Sequence, residues 1–215
     1  MQRFFVFFVM MWCAAGALAQ HGAITTNRVY PYARIGLALT LPNDKAGIDT
    51  HTGLMLGGGV RIPLDRREHI HLQTELQYVS KGMMYKNKAI SNDILADANY
   101  LMLPVSFSYN FFPETSFGYS IGAGLYGAYG VGGHIDATEG MYYYEGFPVD
   151  GHRSTFTDGG FPRWDVGGQL VNVLRYKHVL LSFDLSFSFL KRKMIGGNQN
   201  ICNIATLSLG IGYEL

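Results

Sequence analysis

The sequence predicts an all-β protein: an eight-stranded antiparallel up-and-down transmembrane β-barrel, preceded by a cleavable signal peptide. Three observations predict it. The 215-residue chain is 48% hydrophobic yet only 15% charged, against roughly 25% charged in an ordinary soluble domain. Beyond the N-terminus, no run of about 18 apolar residues is long enough for a membrane helix. Apolar residues instead recur at every second position through eight separate segments, which is the period of a β-strand. Such a hydrophobic composition excludes a disordered chain. A formal net charge of +1 argues against a nucleic-acid binder.

Residues 1–19, MQRFFVFFVMMWCAAGALA, read as an export signal: Arg3, an apolar stretch from Phe4 to Ala15, and the small-x-small cleavage site Ala17-Leu18-Ala19. Cleavage is expected after Ala19 or one residue later. Cys13 lies inside the apolar stretch and follows Met10-Met11-Trp12, which is not a lipoprotein box. Removal of Arg3 leaves 16 basic against 16 acidic residues, a neutral mature chain. Cys202 then stands alone, so the fold is not a disulfide scaffold. Residues 20–29 are expected as a short periplasmic leader and residues 30–215 as the barrel domain.

The strands are expected near 30–41, 54–64, 70–81, 100–111, 117–131, 163–174, 178–190 and 203–215. In the first, Ala33, Ile35, Leu37, Leu39 and Leu41 share one face. In the second it is Leu54, Leu56, Gly58, Val60, Ile62 and Leu64, and in the third Ile70, Leu72, Thr74, Leu76 and Tyr78. The fourth carries Leu101, Leu103, Val105, Phe107, Tyr109 and Phe111. The fifth runs from Phe117 through Ile121 and Leu125 to Val131, and the sixth from Trp164 through Leu170 and Asn172 to Leu174. Val179 to Phe189 and Ala205 to Leu215 complete the set. None of these 48 positions is charged. The opposite face is rich in Gly and Ser and holds the mid-strand charges Arg34, Arg61, Glu75, Asp165, Asp184 and Glu214.

A soluble lipocalin-like barrel would turn the apolar face inward; a transmembrane barrel turns it outward, against lipid. A soluble exterior should be about 25–35% charged, and the polar face here is far poorer than that. Small residues suit the inside of a narrow barrel. Tyr78, Phe111, Phe117, Tyr129, Trp164, Phe189 and Tyr213 lie towards the strand ends, where interfacial girdles belong. Long connections at 42–53, 82–99, 132–162 and 191–202 alternate with short ones at 65–69, 112–116 and 175–177. Short turns are periplasmic in such barrels, so both termini are expected in the periplasm of a Gram-negative bacterium. The longest connection holds Tyr142-Tyr143-Tyr144, Phe147, His152, Phe156 and Phe161. It reads either as a plain surface loop or as a surface for a protein or glycan ligand.

Candidate chemistry is sparse. Gly122-Ala-Gly124-Leu-Tyr-Gly127 matches a dinucleotide fingerprint by letter, but that motif needs a strand, a tight turn and a helix N-terminus. Here the glycines fall inside one alternating strand. The lumen charges read as a paired, structural network, because buried charges need partners. They stand as two cations against four acids, which Lys81 and Arg163 could bring to balance. His69 and His71 are expected on one side of a strand, and two ligands do not make a zinc site. His51, His134 and His152 fall in outer loops and could converge, but no metal is expected. No spacing singles out a catalytic triad, and Cys202 reads as inert. Neither a cofactor nor an enzymatic activity is expected.

The last strand places Leu209, Ile211, Tyr213 and Leu215 at alternate positions up to the C-terminus. This looks like the C-terminal signal that the barrel-assembly machinery recognises, with leucine in place of the usual phenylalanine. Leu72-Gln-Thr-Glu75-Leu-Gln-Tyr78-Val-Ser-Lys81-Gly82 resembles an "ELxYxxKG" strand, and Tyr100-Leu-Met-Leu-Pro104-Val105 a "YLxxPv" strand. Together with Gly122-Ala-Gly124, Asp165-Val-Gly167 and Leu209-Gly210-Ile-Gly212-Tyr213, they make the mature chain similar to the PorT-like outer-membrane β-barrel domain family. That resemblance implies a small outer-membrane barrel. The function expected is a non-enzymatic barrel with a plugged polar lumen, set in outer-membrane lipid and acting structurally or through its outer loops. An accessory of a secretion or envelope-assembly system and a small lipid-modifying barrel enzyme are the alternatives.

Overall fold

The structure, a computed structural model, describes residues 28–42, 48–87, 92–137, 143–144, 147–148, 153–156, 161–190, 192–193, 201–202 and 204–215. The expected signal segment 1–19, most of the leader 20–29, and His152 lie outside the described residues. Eight long strands form: β1 (Tyr30–Pro42), β2 (Ile48–Pro63), β3 (Ile70–Asn87), β4 (Asn92–Asn110), β5 (Phe117–Gly132), β6 (Trp164–Tyr176), β7 (Val179–Ser188) and β8 (Ile204–Glu214). Each pairs antiparallel with its neighbour in the chain. The ring closes between β1 and β8, from Tyr32 opposite Glu214 to Pro42 opposite Ile204. Closure leaves no unpaired edge among these eight strands, the condition for strands in hydrocarbon.

The alternation is realised with the apolar face outward. Leu37, Leu56, Phe107, Leu125, Leu181 and Ile211 are each more than half exposed. Arg34, Glu75, Asp165 and Asp184 are buried inside. A water-soluble barrel would have this reversed, so the outward face is a lipid face. Its ends carry aromatic clusters. Tyr129 and Trp164 meet at 4.7 Å at one end. At the other, Phe111 stacks on Tyr119 at 5.5 Å and meets Tyr109 at 5.1 Å. The dinucleotide-like glycines lie within β5, with Gly122 opposite Ser108 and Gly124 opposite Ser106. Pro104 has no N–H to give, and the β3–β4 register skips Glu75 and Leu76 where it stands.

Several strands outrun their expected lengths, mostly at the end away from the termini; β6 also runs two residues past its expected end, to Tyr176, on the side of the termini. β2 starts at Ile48 rather than 54, β3 runs to Asn87 rather than 81, and β4 starts at Asn92 rather than 100. The loops expected at 42–53 and 82–99 shrink to 43–47 and 88–91. β3 and β4 have 18 and 19 residues, whereas about 9–11 cross a bilayer. Their outer parts stand clear of lipid. There the side-chain alternation weakens, but the backbone ladder continues. The 132–162 connection also has structure of its own. A strand His134–Ala137 continues the wall along β4, and Arg153–Ser154 adds to it. Tyr143–Tyr144 pairs with Phe147–Pro148 as a small hairpin.

Leu125 lies on β5 midway between the two aromatic clusters and is 57% exposed. Leu125→Arg should destabilise the barrel by about 2–4 kcal/mol, read by reversible urea unfolding from phospholipid vesicles. Gly127→Ala, where an added Cβ meets nothing within 4 Å, should change stability by less than about 0.5 kcal/mol.

Candidate functional site

Small residues on the inner face leave room for long polar side chains to cross the lumen. Arg34 projects from β1 into the centre. Its Nη2 donates to Glu75 Oε1 of β3 at 2.7 Å, its Nε to Glu75 Oε2 at 3.0 Å, and its Nη1 to Asp184 of β7. The Tyr32 hydroxyl donates to Glu75 Oε2 at 2.7 Å and accepts from Gln73 Nε2 at 2.8 Å. Two glycines make this crossing possible. A Cβ on Gly57 would sit 3.1 Å from Glu75 Oε1, and one on Gly212 would sit 2.9 Å from Arg34 Cβ.

Below this layer, towards the termini, Arg61 pairs with Glu214 at 2.5 Å. A cavity of about 20 Å³ beside Arg61, Gln73, Ser120 and Glu214 has room for one water. Arg61 Nε is among the buried atoms that lack a protein partner, so a water there would complete its bonding. Above the layer, Lys81 pairs with Asp165 at 3.2 Å. The Ser188 hydroxyl donates to Asp165 at 2.5 Å, and the Tyr126 hydroxyl at 3.2 Å. The Lys81 ammonium lies 5.4 and 5.0 Å from the ring centres of Tyr100 and Tyr126. Among the described residues every lumen carboxylate therefore holds a cation: Glu75 and Asp184 share Arg34, Glu214 takes Arg61, and Asp165 takes Lys81.

Around and past Lys81 the lumen changes character. Met55, Val79, Met83, Ala96, Ala98, Met102, Ala128, Ile135, Phe161 and Ile204 pack into an apolar core. The expected polar lumen is thus apolar over much of its outer half, around the Lys81–Asp165 pair. The base of the 132–162 connection folds back onto this apolar core. The Tyr100 hydroxyl donates to the Pro162 carbonyl at 2.7 Å, and Thr155 Oγ1 to the Asp97 carbonyl at 2.5 Å. Phe156 meets Tyr100 edge-on at 5.5 Å and lies against Gly130, where a Cβ would be 2.3 Å from the ring.

All six lumen charges named from the sequence face inward and are ion-paired. Lys81 joins them. Arg163 does not: it is exposed, with its guanidinium 5.7 Å over Phe156. Arg175, which sequence reasoning missed because it lay beyond the expected end of its strand, stands near Gly118 on the lumen side. His69 and His71 do not share a side. His69 precedes β3 and stacks on outward Tyr109 at 5.4 Å, while His71 is buried in the lumen. His134 pairs with Asp97 at 3.1 Å. Among the described residues, no set of three or more His, Cys, Asp or Glu could hold a metal. The side chain of Cys202 lies outside the described residues. Leu209, Ile211, Tyr213 and Leu215 all face outward and are 45%, 57%, 52% and 76% exposed.

A closed antiparallel ring with a lipid-facing apolar wall, aromatic clusters at both ends and a filled interior defines an integral membrane β-barrel. The chain belongs to the outer membrane protein beta-barrel domain family, whose model matches residues 32–191. No curated relative matches the chain. Among solved structures, Neisserial surface protein A is similar at 14% identity over 87% of this chain and 96% of that one, with a TM-score of 0.48. Ail of Yersinia pestis, solved with the heparin analogue sucrose octasulfate, is 10% identical over 87% and 99%, at 0.45. OprG of Pseudomonas aeruginosa is 13% identical over 87% and 95%, at 0.44.

Removing one partner of a buried ion pair costs about 3–5 kcal/mol, because a charge is left stranded. Arg34→Met should therefore destabilise the barrel by about that amount in urea unfolding. Adding Glu75→Gln and Asp184→Asn to it should restore more than half of the loss. Absence of recovery would show that Arg34 acts by packing rather than by charge.

Proposed function

We propose that the protein is a non-enzymatic outer-membrane barrel whose sealed lumen is a structural core and whose outer wall is its working surface. The observation that carries this reading is the pairing of all four lumen carboxylates. With Glu75, Asp184, Glu214 and Asp165 each held by a cation, no unpaired carboxylate faces the lumen among the described residues. The apolar cap and the Tyr100–Pro162 latch support a lumen closed to solute passage.

The working surface is the raised part of β3 and β4 with the segment 132–162 that adds to it. Its hairpin carries Tyr143, Tyr144 and Phe147, aromatic residues suited to contact a protein or a glycan. Short connections on the side of the termini support a periplasmic placement of both ends. Residues 1–19 act as the export signal, with barrel-assembly machinery reading Leu209, Ile211, Tyr213 and Leu215. The strand motifs at 72–82 and 100–105 support a PorT-like member of the family.

Replacing residues 140–152 with a short Gly-Ser linker keeps Thr155, Phe156 and Phe161. The variant should remain heat-modifiable on a gel, as a folded barrel. Proteoliposomes of wild type and variant, probed on a glycan array and with envelope-free culture proteins, should differ by at least one ligand lost. Identical binding patterns would contradict a working surface at this segment.

A further inference from the structure

Asn172 is the one amide among the 48 alternating outward positions. An amide facing hydrocarbon is unfavourable unless its polar atoms are satisfied. Its Oδ1 accepts from the Tyr119 hydroxyl at 3.2 Å, and its Nδ2 reaches the Phe183 carbonyl at 3.4 Å. The second of these contacts is long, and an amide nitrogen has two hydrogens to place. The same pair lines an open hollow of about 370 Å³ on the outer wall, with Leu174, Leu181, Phe183 and Leu209 around it. Ligand pockets fall in the range of about 300–1,000 Å³. Asn172 sits opposite Phe183 on one side and Ile121 on the other, so a short side chain lies between long ones and the wall dips there.

The depth of the hollow is also informative. Asn172 is four residues in from Tyr176, and Tyr119 two residues in from Phe117, at the girdle near the termini. With the strand rise and a tilt near 40°, these are depths of about 10 and 5 Å. Aromatic girdles flank the apolar band at the interface, and Tyr119 itself stacks on Phe111 in the girdle cluster, so the pair lies at the edge of the hydrocarbon, beside the acyl esters. An ester carbonyl accepts hydrogen bonds and donates none, which matches the remaining amide hydrogen.

We infer that this hollow is a binding site for a diacyl phospholipid, with an ester carbonyl on the Asn172 amide and one acyl chain between Leu181, Phe183 and Leu209. The orientation proposed above makes this an inner-leaflet lipid. The test is native mass spectrometry of the detergent-solubilised barrel with added 1-palmitoyl-2-oleoyl phosphatidylethanolamine. Wild type should retain one lipid at least tenfold better than Asn172→Leu, which fills the hollow and removes the amide. It should also retain the diether analogue, which lacks carbonyls, at least tenfold less. Thr74→Leu, an outward polar-to-apolar change on another strand, should bind as wild type. Heat modifiability verifies that each variant folds. Equal retention by Asn172→Leu, equal retention of the diether, or equal loss in Thr74→Leu would overturn the proposal. The detergent readout does not depend on leaflet. Protease shaving of residues 138–152 on intact cells tests the orientation separately.

Discussion

The structure depends on one constraint: in hydrocarbon, a backbone N–H or C=O without a partner costs several kcal/mol. Strands satisfy these groups only through neighbours, so the sheet has to close. The β1–β8 ladder, eleven residue pairs from Tyr32 to Pro42, meets that demand. Closure then dictates the rest. It gives every strand a lipid side and a lumen side, and it makes the interior narrow. It also forces the inner face to be glycine and serine wherever a long side chain must cross.

The interior is filled in two ways. Near the termini, cations and carboxylates from non-adjacent strands meet across the lumen, and Glu75, Asp184 and Glu214 each hold a cation within hydrogen-bond distance. Towards the outer mouth, Met, Ala and Tyr side chains pack with Phe156 and Phe161. Lys81 marks the boundary: it is paired with Asp165 and flanked by the faces of Tyr100 and Tyr126. Burying a cation beneath an apolar cap is tolerable because the carboxylate and both rings stabilise it together. The cap keeps bulk water from the ion pairs, which strengthens them.

Much of this was legible in the sequence. Period-two alternation identified the eight strands and their lipid face, and the inward charges followed from the same parity. Which charges pair was not legible, because Arg34, Glu75 and Asp184 come from β1, β3 and β7 and meet only once the ring has closed. Strand ends were misjudged where hydrophobic alternation stops short of the backbone ladder, as at Lys86 and Asp93, above the lipid. Misread strand ends elsewhere also misassigned single residues. Arg175 was left out of the lumen, Arg163 was included, and His69 was given the parity of His71 although it precedes the strand. The apolar cap was hidden because Met83 and Ala96 fell in an expected connection, and Met55 occupies lumen parity, which the Gly- and Ser-rich pattern elsewhere had marked as polar. The 132–162 segment carried no periodic signal, and its latch rests on single contacts by Thr155, Phe156 and Pro162.

The central claim is that the alternation separates lipid from a closed interior along every strand. A nitroxide scan of β5 in reconstituted vesicles measures this directly. Spin labels at Tyr119, Ile121, Ala123, Leu125 and Gly127 should be relaxed by lipid-soluble oxygen and shielded from a water-soluble nickel chelate. Labels at Ser120, Gly122, Gly124 and Tyr126 should be shielded from both. Strong chelate access at the first set, or oxygen access without alternation, would contradict the account.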